Sequence, residues 1–204
     1  MDATARDDAP CFSIDVASRR DVPSIVELFV AALAGHPIAL LAPSLQRRFV
    51  AAYVDAGLTL VALDRASGAV AGFAIAGQQD ALDRVRRSFL YRNAPALIRP
   101  IVLTRLRSLR DVVRSATAER CGGGHAAELR YLAVAATRRG GGIGSALLLA
   151  AEERLLARQA YVVWVLAARA AAMRFYARHG FRETSRSDGH VCLVKHQADA
   201  QGVR

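Results

Sequence analysis

The stretch from Glu128 to Leu149, ELRYLAVAATRRGGGIGSALLL, decides how the whole chain is read. A strand-like run ends at Val134, an Arg-rich turn follows, and Gly140, Gly141, Gly142 and Gly144 then open a helix with an apolar face. Backbone N–H groups in the first turn of a helix lack a helical partner. The helix dipole adds partial positive charge at the same end. A glycine turn here is therefore an anion site suited to a diphosphate, and Arg138 and Arg139 stand beside it. Two other phosphate-binding patterns fail. A dinucleotide fingerprint needs Gly or Ala where Leu147 stands, and a P-loop needs Gly-Lys-Ser/Thr, whereas the only lysine is Lys195.

Arg139-Gly140-Gly141-Gly142-Ile143-Gly144 resembles the Gln/Arg-x-x-Gly-x-Gly/Ala motif of the GNAT superfamily of N-acetyltransferases, and Phe175-Tyr176-Ala177-Arg178-His179-Gly180-Phe181 is similar to that family's Phe-Tyr-x-x-x-Gly-Phe segment. The resemblance covers Phe12–Gln78 loosely and Glu128–His196 well. It implies that acetyl-CoA is the co-substrate, without a metal. It implies that the turn Arg139, Gly140, Gly141, Gly142, Ile143, Gly144 and Ser145 holds the diphosphate. The backbone of Leu132, Ala133 and Val134 would pair with pantetheine like an added strand, beside a bulge that parts this strand from the next. Tyr176 corresponds to the family's general acid, placed to protonate the leaving thiolate. The family's Asn six positions before the Phe, a pantetheine ligand, is here Arg169. Glu128 lies fourteen residues before Gly142, the spacing of the general-base glutamate in histone-acetyltransferase members.

The residues also carry structural readings. A tyrosine can simply pack at a helix–sheet seam, and a glutamate at a strand start can merely orient loops. His125 or a water are the other candidate bases. His36, His179, His190 and His196 lack metal-ligand spacing.

Composition sets the bounds. A chain of 204 residues, 53% hydrophobic, suits one domain with a good core. No apolar run is long enough to cross a bilayer, and residues 1–10 are polar and acidic, unlike a signal peptide. Cys11, Cys121 and Cys192 are widely spaced and odd in number, which argues against a disulfide framework or a zinc cluster and for a reducing cytoplasm. The net charge is +10, and 28 Lys plus Arg with a single lysine leave 27 arginines. Such a charge suits a polyanion, CoA included. No basic stripe interleaved with aromatics suggests a nucleic-acid strand as partner.

Along the chain, Phe12–Val16 alternates as a first strand. A helix follows, capped by Asp21 with Pro23 in its first turn, and Ser44 caps a second. Leu58–Leu63 and Ala69–Ala76 read as strands, with Gly72 marking a bulge or close packing. Residues 78–127 read as a helical insertion of two helices, 81–92 and 95–118, with a Gly122-Gly123-Gly124 hinge. Its apolar face needs burial on the domain or on a second copy of the chain, and Arg105, Arg107 and Arg110 would suit an anionic acceptor. Then come the helix 143–156, a strand 161–167, the helix 170–179 and a terminal hairpin, with residues 1–11 and 197–204 as loose tails.

The expected fold is one α/β (α+β) domain of GNAT type over residues 1–204, a mixed sheet flanked by helices with the insertion between the third and fourth strands. The expected activity is acetyl transfer from acetyl-CoA to a primary amine, small molecule or otherwise. The alternative is a non-catalytic acyl-CoA-binding or polyanion-binding module.

Overall fold

Strand β2 (Thr59–Asp64) and strand β3 (Val70–Gln78) are apolar on both sides because both faces of the sheet they centre on are covered. The computed structural model describes residues 11–34, 36–103, 127–155, 160–166, 170–187 and 190–196. The other strands are β1 (Phe12–Val16), β4 (Ala127–Val134), β5 (Ala160–Leu166), β6 (Arg182–Ser187) and β7 (His190–His196). They form one seven-stranded sheet in the order β1-β2-β3-β4-β5-β7-β6. Every neighbouring pair is antiparallel except β4 and β5, which run parallel.

On one face lie α1 (Val22–Ala32), α2 (Pro43–Asp55) and α3 (Gln79–Leu103). Their core residues Ile25, Phe29, Phe49, Tyr53, Leu82 and Phe89 pack on Val61, Phe73 and Ile75 of the sheet. Each such large apolar side chain contributes about 1.5–3 kcal/mol by leaving water. The other face holds α4 (Ile143–Arg154) and α5 (Ala170–Arg178). Leu147, Leu148 and Tyr176 there meet Leu60, Ala62, Ala74 and Leu129. Gly72 lets α4 approach β3. A Cβ there would sit 3.0 Å from the Ala133 carbonyl oxygen and 3.2 Å from both Ile143 Cγ2 and Leu147 Cδ1. The ladder also slips beside it, between Ala62 and Leu63. Both readings of that glycine hold.

Three expectations are corrected. First, no helix break falls at 93–94: α3 runs unbroken from Gln79 to Leu103 through Pro95 and Pro100. Each proline removes one helical hydrogen bond. Burial of Leu82, Phe89 and Leu97 offsets that cost, and the Asn93 side chain donates to the Phe89 carbonyl at 2.8 Å. This part of the insertion thus belongs to the main core. Residues 104–126, with Arg105, Arg107, Arg110, Cys121, the glycine hinge and His125, lie outside the described residues, as does Arg169. Second, α2 begins at Pro43 behind Ala42, with no side-chain cap, so Ser44 is already helical. Third, Cys192, fully buried in β7, is disulfide-bonded, while Cys11 is free and exposed. Three cysteines exclude a set of bridges but not a single one.

No helix among the described residues is long and apolar enough to cross a membrane.

Candidate active site

The site grows out of strand β4. Its ladder with β3 shifts between Ile75 and Ala76, so that Tyr131 faces Ile75, Leu129 faces Ala76, and Arg130 is the extra residue of a bulge. The same strand pairs with β5 only through Ala127, Glu128 and Leu129. Beyond Leu129 the two parallel strands part. Leu132, Ala133 and Val134 keep their partners on β3, at Ala74, Phe73 and Gly72, and have none on β5. The backbone edge they present there can accept an added strand-like ligand. The bulge and the parting are what the resemblance implied for this segment.

At the end of β4 a single turn, Ala136–Arg138, leads into the glycines. Gly140 and Gly142 have φ of +86° and +78°, a region open to glycine at little cost. A Cβ on either would meet nothing within 4 Å among the described residues, so open space lies beside both glycines. Gly142 is the N-cap of α4 and no side chain caps it. The first helical bond comes from Ala146 N–H to the Gly142 carbonyl at 3.0 Å. The N–H groups of Ile143, Gly144 and Ser145 therefore have no helical partner. Gly144 passes close to α5, where a Cβ would lie 3.5 Å from Phe175. Arg138 is engaged by the Asp64 carboxylate. Arg139 is exposed, its Nε 3.4 Å from the Val134 carbonyl oxygen. A cleft of about 200 Å³ beside the turn is lined by Arg138, Arg139, Gly141 and Ile143.

Ser145 is tied to α5. His179 lies 2.9 Å through Nδ1 from the Phe175 carbonyl and 3.0 Å through Nε2 from Ser145 Oγ. A carbonyl can only accept, so Nδ1 carries the proton in the neutral ring and Ser145 donates to Nε2. The bond clamps the start of α4 to the end of α5.

Tyr176 projects from α5 into the core between the sheet and α4. It is 7% exposed, with Phe175 and Phe181 edge-on at 5.1 and 5.6 Å. Burial pushes its phenol well above the ordinary tyrosine range. Its hydroxyl has no hydrogen-bond partner among the described residues. Glu128 lies on the opposite face of the sheet, toward α2 and α3, so the structure does not bring the two candidate catalytic residues into contact.

Glu128 is not alone. Arg130 grips it with both arms, Nε to Oε1 and Nη2 to Oε2 at 2.8 Å each, and also reaches Asp83 Oδ1 of α3 at 2.8 Å. Burial works against the guanidinium charge, but Glu128 outweighs it and holds Arg130 firmly protonated. Tyr53, completely buried below, is raised by desolvation. Its hydroxyl and the Arg130 guanidinium interact with each other, although neither that hydroxyl nor Arg130 Nη1 reaches full hydrogen-bond geometry with any described residue. Sequence reading missed Arg130 as a partner, although residues i and i+2 of a strand share a face. It also missed Tyr131, whose hydroxyl is 3.1 Å from His36 Nε2. No group of His, Cys, Asp and Glu fit to hold a metal occurs among the described residues.

Comparison with known proteins agrees with this geometry. Residues 107–183 match a family model described as an acetyltransferase (GNAT) domain. Solved structures align over nearly their whole length. SsHAT has a TM-score of 0.64 at 20% identity, covering 92% of this chain and 99% of that one. The NatC complex bound to Gag peptide and CoA gives 0.59 at 16%, covering 91% and 98%. The PaiA N-acetyltransferase from Thermoplasma acidophilum in complex with coenzyme A gives 0.53 at 14%, covering 91% and 98%. No curated protein matches the sequence. The fold is that of the GNAT acetyltransferases, and the resemblance carried by the two sequence motifs is borne out.

Proposed function

We propose that the chain is an N-acyltransferase that moves an acetyl group from acetyl-CoA to a primary amine by direct attack. The observation that carries the reading is the continuous track from the parted edge of β4, at Leu132, Ala133 and Val134, to the uncapped glycine turn, Arg139 to Ser145. An extended amide-bearing arm followed by a diphosphate is the ligand such a track fits. CoA carries such an arm and diphosphate, and it is bound in two of the similar structures. Arg169, in the place of the family's Asn, is assigned to the pantetheine side on the resemblance alone.

In the proposed reaction the amine nitrogen attacks the thioester carbonyl carbon, and the C–S bond breaks. The Tyr176 phenol, kept protonated by burial, gives its proton to the thiolate. Glu128 takes the amine proton through a water. Arg130 occupies one lone-pair site on each carboxylate oxygen, and each oxygen retains another.

The test is calorimetry with acetyl-CoA on the purified full chain, then free-thiol release with a panel of amines. The reading predicts binding that Gly142→Val abolishes and thiol release that depends on an amine. Binding without transfer to any amine would leave an acyl-CoA-binding module instead. A Gly142→Val protein that binds as tightly as the parent would remove the site assignment. The insertion is proposed to shape the acceptor side, and its test now spares α3. Replacing residues 104–126 by a short Gly/Ser linker should keep CoA binding and lose acceptor turnover or a dimer.

A further inference from the structure

The bulge at Arg130 has a consequence for the next residue. In an even ladder Arg130 and Tyr131 would point to opposite faces. With one extra residue in β4, both fall on the α1–α3 face, where Arg130 meets Asp83 and Tyr131 meets Phe29 at 5.0 Å. Tyr131 and His36 stand ring to ring at 5.3 Å, with Phe29 5.4 Å from the histidine. Phe29 and Phe49 behind them are core, whereas Tyr131 and His36 are only partly buried. The pair therefore stands at the edge of the α1–α3 core, packed against it and only partly exposed. It lies two residues past Leu129, the last residue of β4 that pairs with β5.

The protons of this pair can be placed. The backbone N–H of Ile38 donates to His36 Nδ1 at 3.2 Å. An N–H can only donate, so Nδ1 is unprotonated and the neutral ring carries its proton on Nε2. That proton points at Tyr131 Oη, 3.1 Å away. The phenol hydrogen must then point elsewhere, and it meets no acceptor among the described residues. Burial raises the phenol far above its ordinary range, so the hydrogen stays in place at any working pH. Among the described residues, His36 thus orients a hydrogen-bond donor whose hydrogen meets no acceptor, two residues past the last β4–β5 pair.

We propose that Tyr131, oriented by His36, is the acceptor-side hydrogen-bond donor of the transfer site, and that it selects amines bearing a carbonyl or hydroxyl oxygen next to the reactive nitrogen over plain alkylamines. The proposal rests on the acyl-transfer reading above. Tyr131 touches the acceptor, and His36 is a positioning residue that acts through it.

The experiment uses the full chain, acetyl-CoA, and three probes: alaninamide, ethanolamine and propylamine. The quantity read is the ratio of kcat/KM for each oxygen-bearing amine to that for propylamine, corrected to free amine. The parent should favour the oxygen-bearing probes. Tyr131→Phe should lower the ratio by about 10-fold, the upper range for a neutral hydrogen bond, with the acetyl-CoA Kd within about 2-fold of the parent. His36→Ala should lower it similarly. His36→Gln, which can accept from the Ile38 N–H and donate to Tyr131, should restore most of it. A merely structural role would depress all three probes together and leave the ratio unchanged. That result in a protein with parental Tm overturns the proposal, as does a parent without thiol release on the oxygen-bearing probes or without preference for them. Absence of acetyl-CoA binding in the parent overturns the acyl-transfer reading itself, and this proposal with it. Parental binding with an unchanged ratio overturns this proposal alone.

Discussion

Tyr176→Phe separates packing from chemistry better than any other change in this chain. The ring sits between Phe175 and Phe181 at 5.1 and 5.6 Å, and phenylalanine keeps both contacts. The hydroxyl makes no hydrogen bond among the described residues, so its loss forfeits no bonded partner. The expected change in stability is below about 1 kcal/mol, or less than about 4 °C in Tm for a domain of this size. If the phenol protonates the thiolate, its removal should cost about 10²–10⁴-fold in turnover, the usual yield of general acid catalysis. The acetyl-CoA Kd should hardly move. A pH arm adds an independent check. Burial raises the folded-state pKa of Tyr176 above the unfolded value near ~10. The stability this contributes is fully present below about pH 10 and is lost as pH rises through the folded pKa. Urea midpoints should therefore fall less steeply above about pH 10 in the variant than in the parent. The assay is thiol release in single-turnover mode, with unfolding followed in parallel. An unchanged single-turnover rate in a protein with parental Tm would refute the role of Tyr176.

Three other substitutions and treatments test the framework. Gly72→Ala has ordinary backbone geometry but too little room, so it should cost about 1–3 kcal/mol by overpacking against the Ala133 carbonyl, Ile143 and Leu147. It should also weaken acetyl-CoA binding by displacing the start of α4; parental urea midpoint and Kd would show that the close approach is slack. Arg130→Leu leaves the buried Glu128 carboxylate without its bidentate partner and should lose about 3–5 kcal/mol; a loss below about 1 kcal/mol in urea unfolding would mean the cluster is not tightly coupled. The chain's only lysine, Lys195, is 8% exposed and held by both Glu152 oxygens at 2.9 Å. Prolonged incubation with excess acetyl-CoA should therefore leave it unmodified, and peptide mass spectrometry finding acetyl-Lys195 would contradict this burial.

Much of the fold was legible because its signals are local. The strand Phe12–Val16 alternates, and it appears with those bounds. The turn at 139–145 needs positive φ at Gly140 and Gly142, just ahead of the helix that starts at Ile143, and glycine adopts it at little cost. What sequence reading lost depends on contacts between distant residues. Pro95 looked like the start of a second helix, yet Leu82 and Leu97 on either side of it are both buried, and their burial carries one helix through. His36 and Tyr131 are ninety-five positions apart, and nothing local pairs them.

The bulge at Arg130 leaves a trace in the sequence. Continuous alternation from Glu128 would put Glu128, Arg130, Leu132 and Val134 on one face, a mixture of two charges and two aliphatics that no single environment favours. In the structure Glu128 and Arg130 form an ion pair on the α2–α3 side, while Leu132 and Val134 pack with the α4–α5 core. The phase of the strand must therefore flip between them, and one extra residue does it. A strand that changes from charged to apolar within one nominal face is thus better read as broken than as amphipathic. Here the break lies where β5 departs, so the irregularity that upset the periodicity also opens the edge on which the proposed acyl donor would lie.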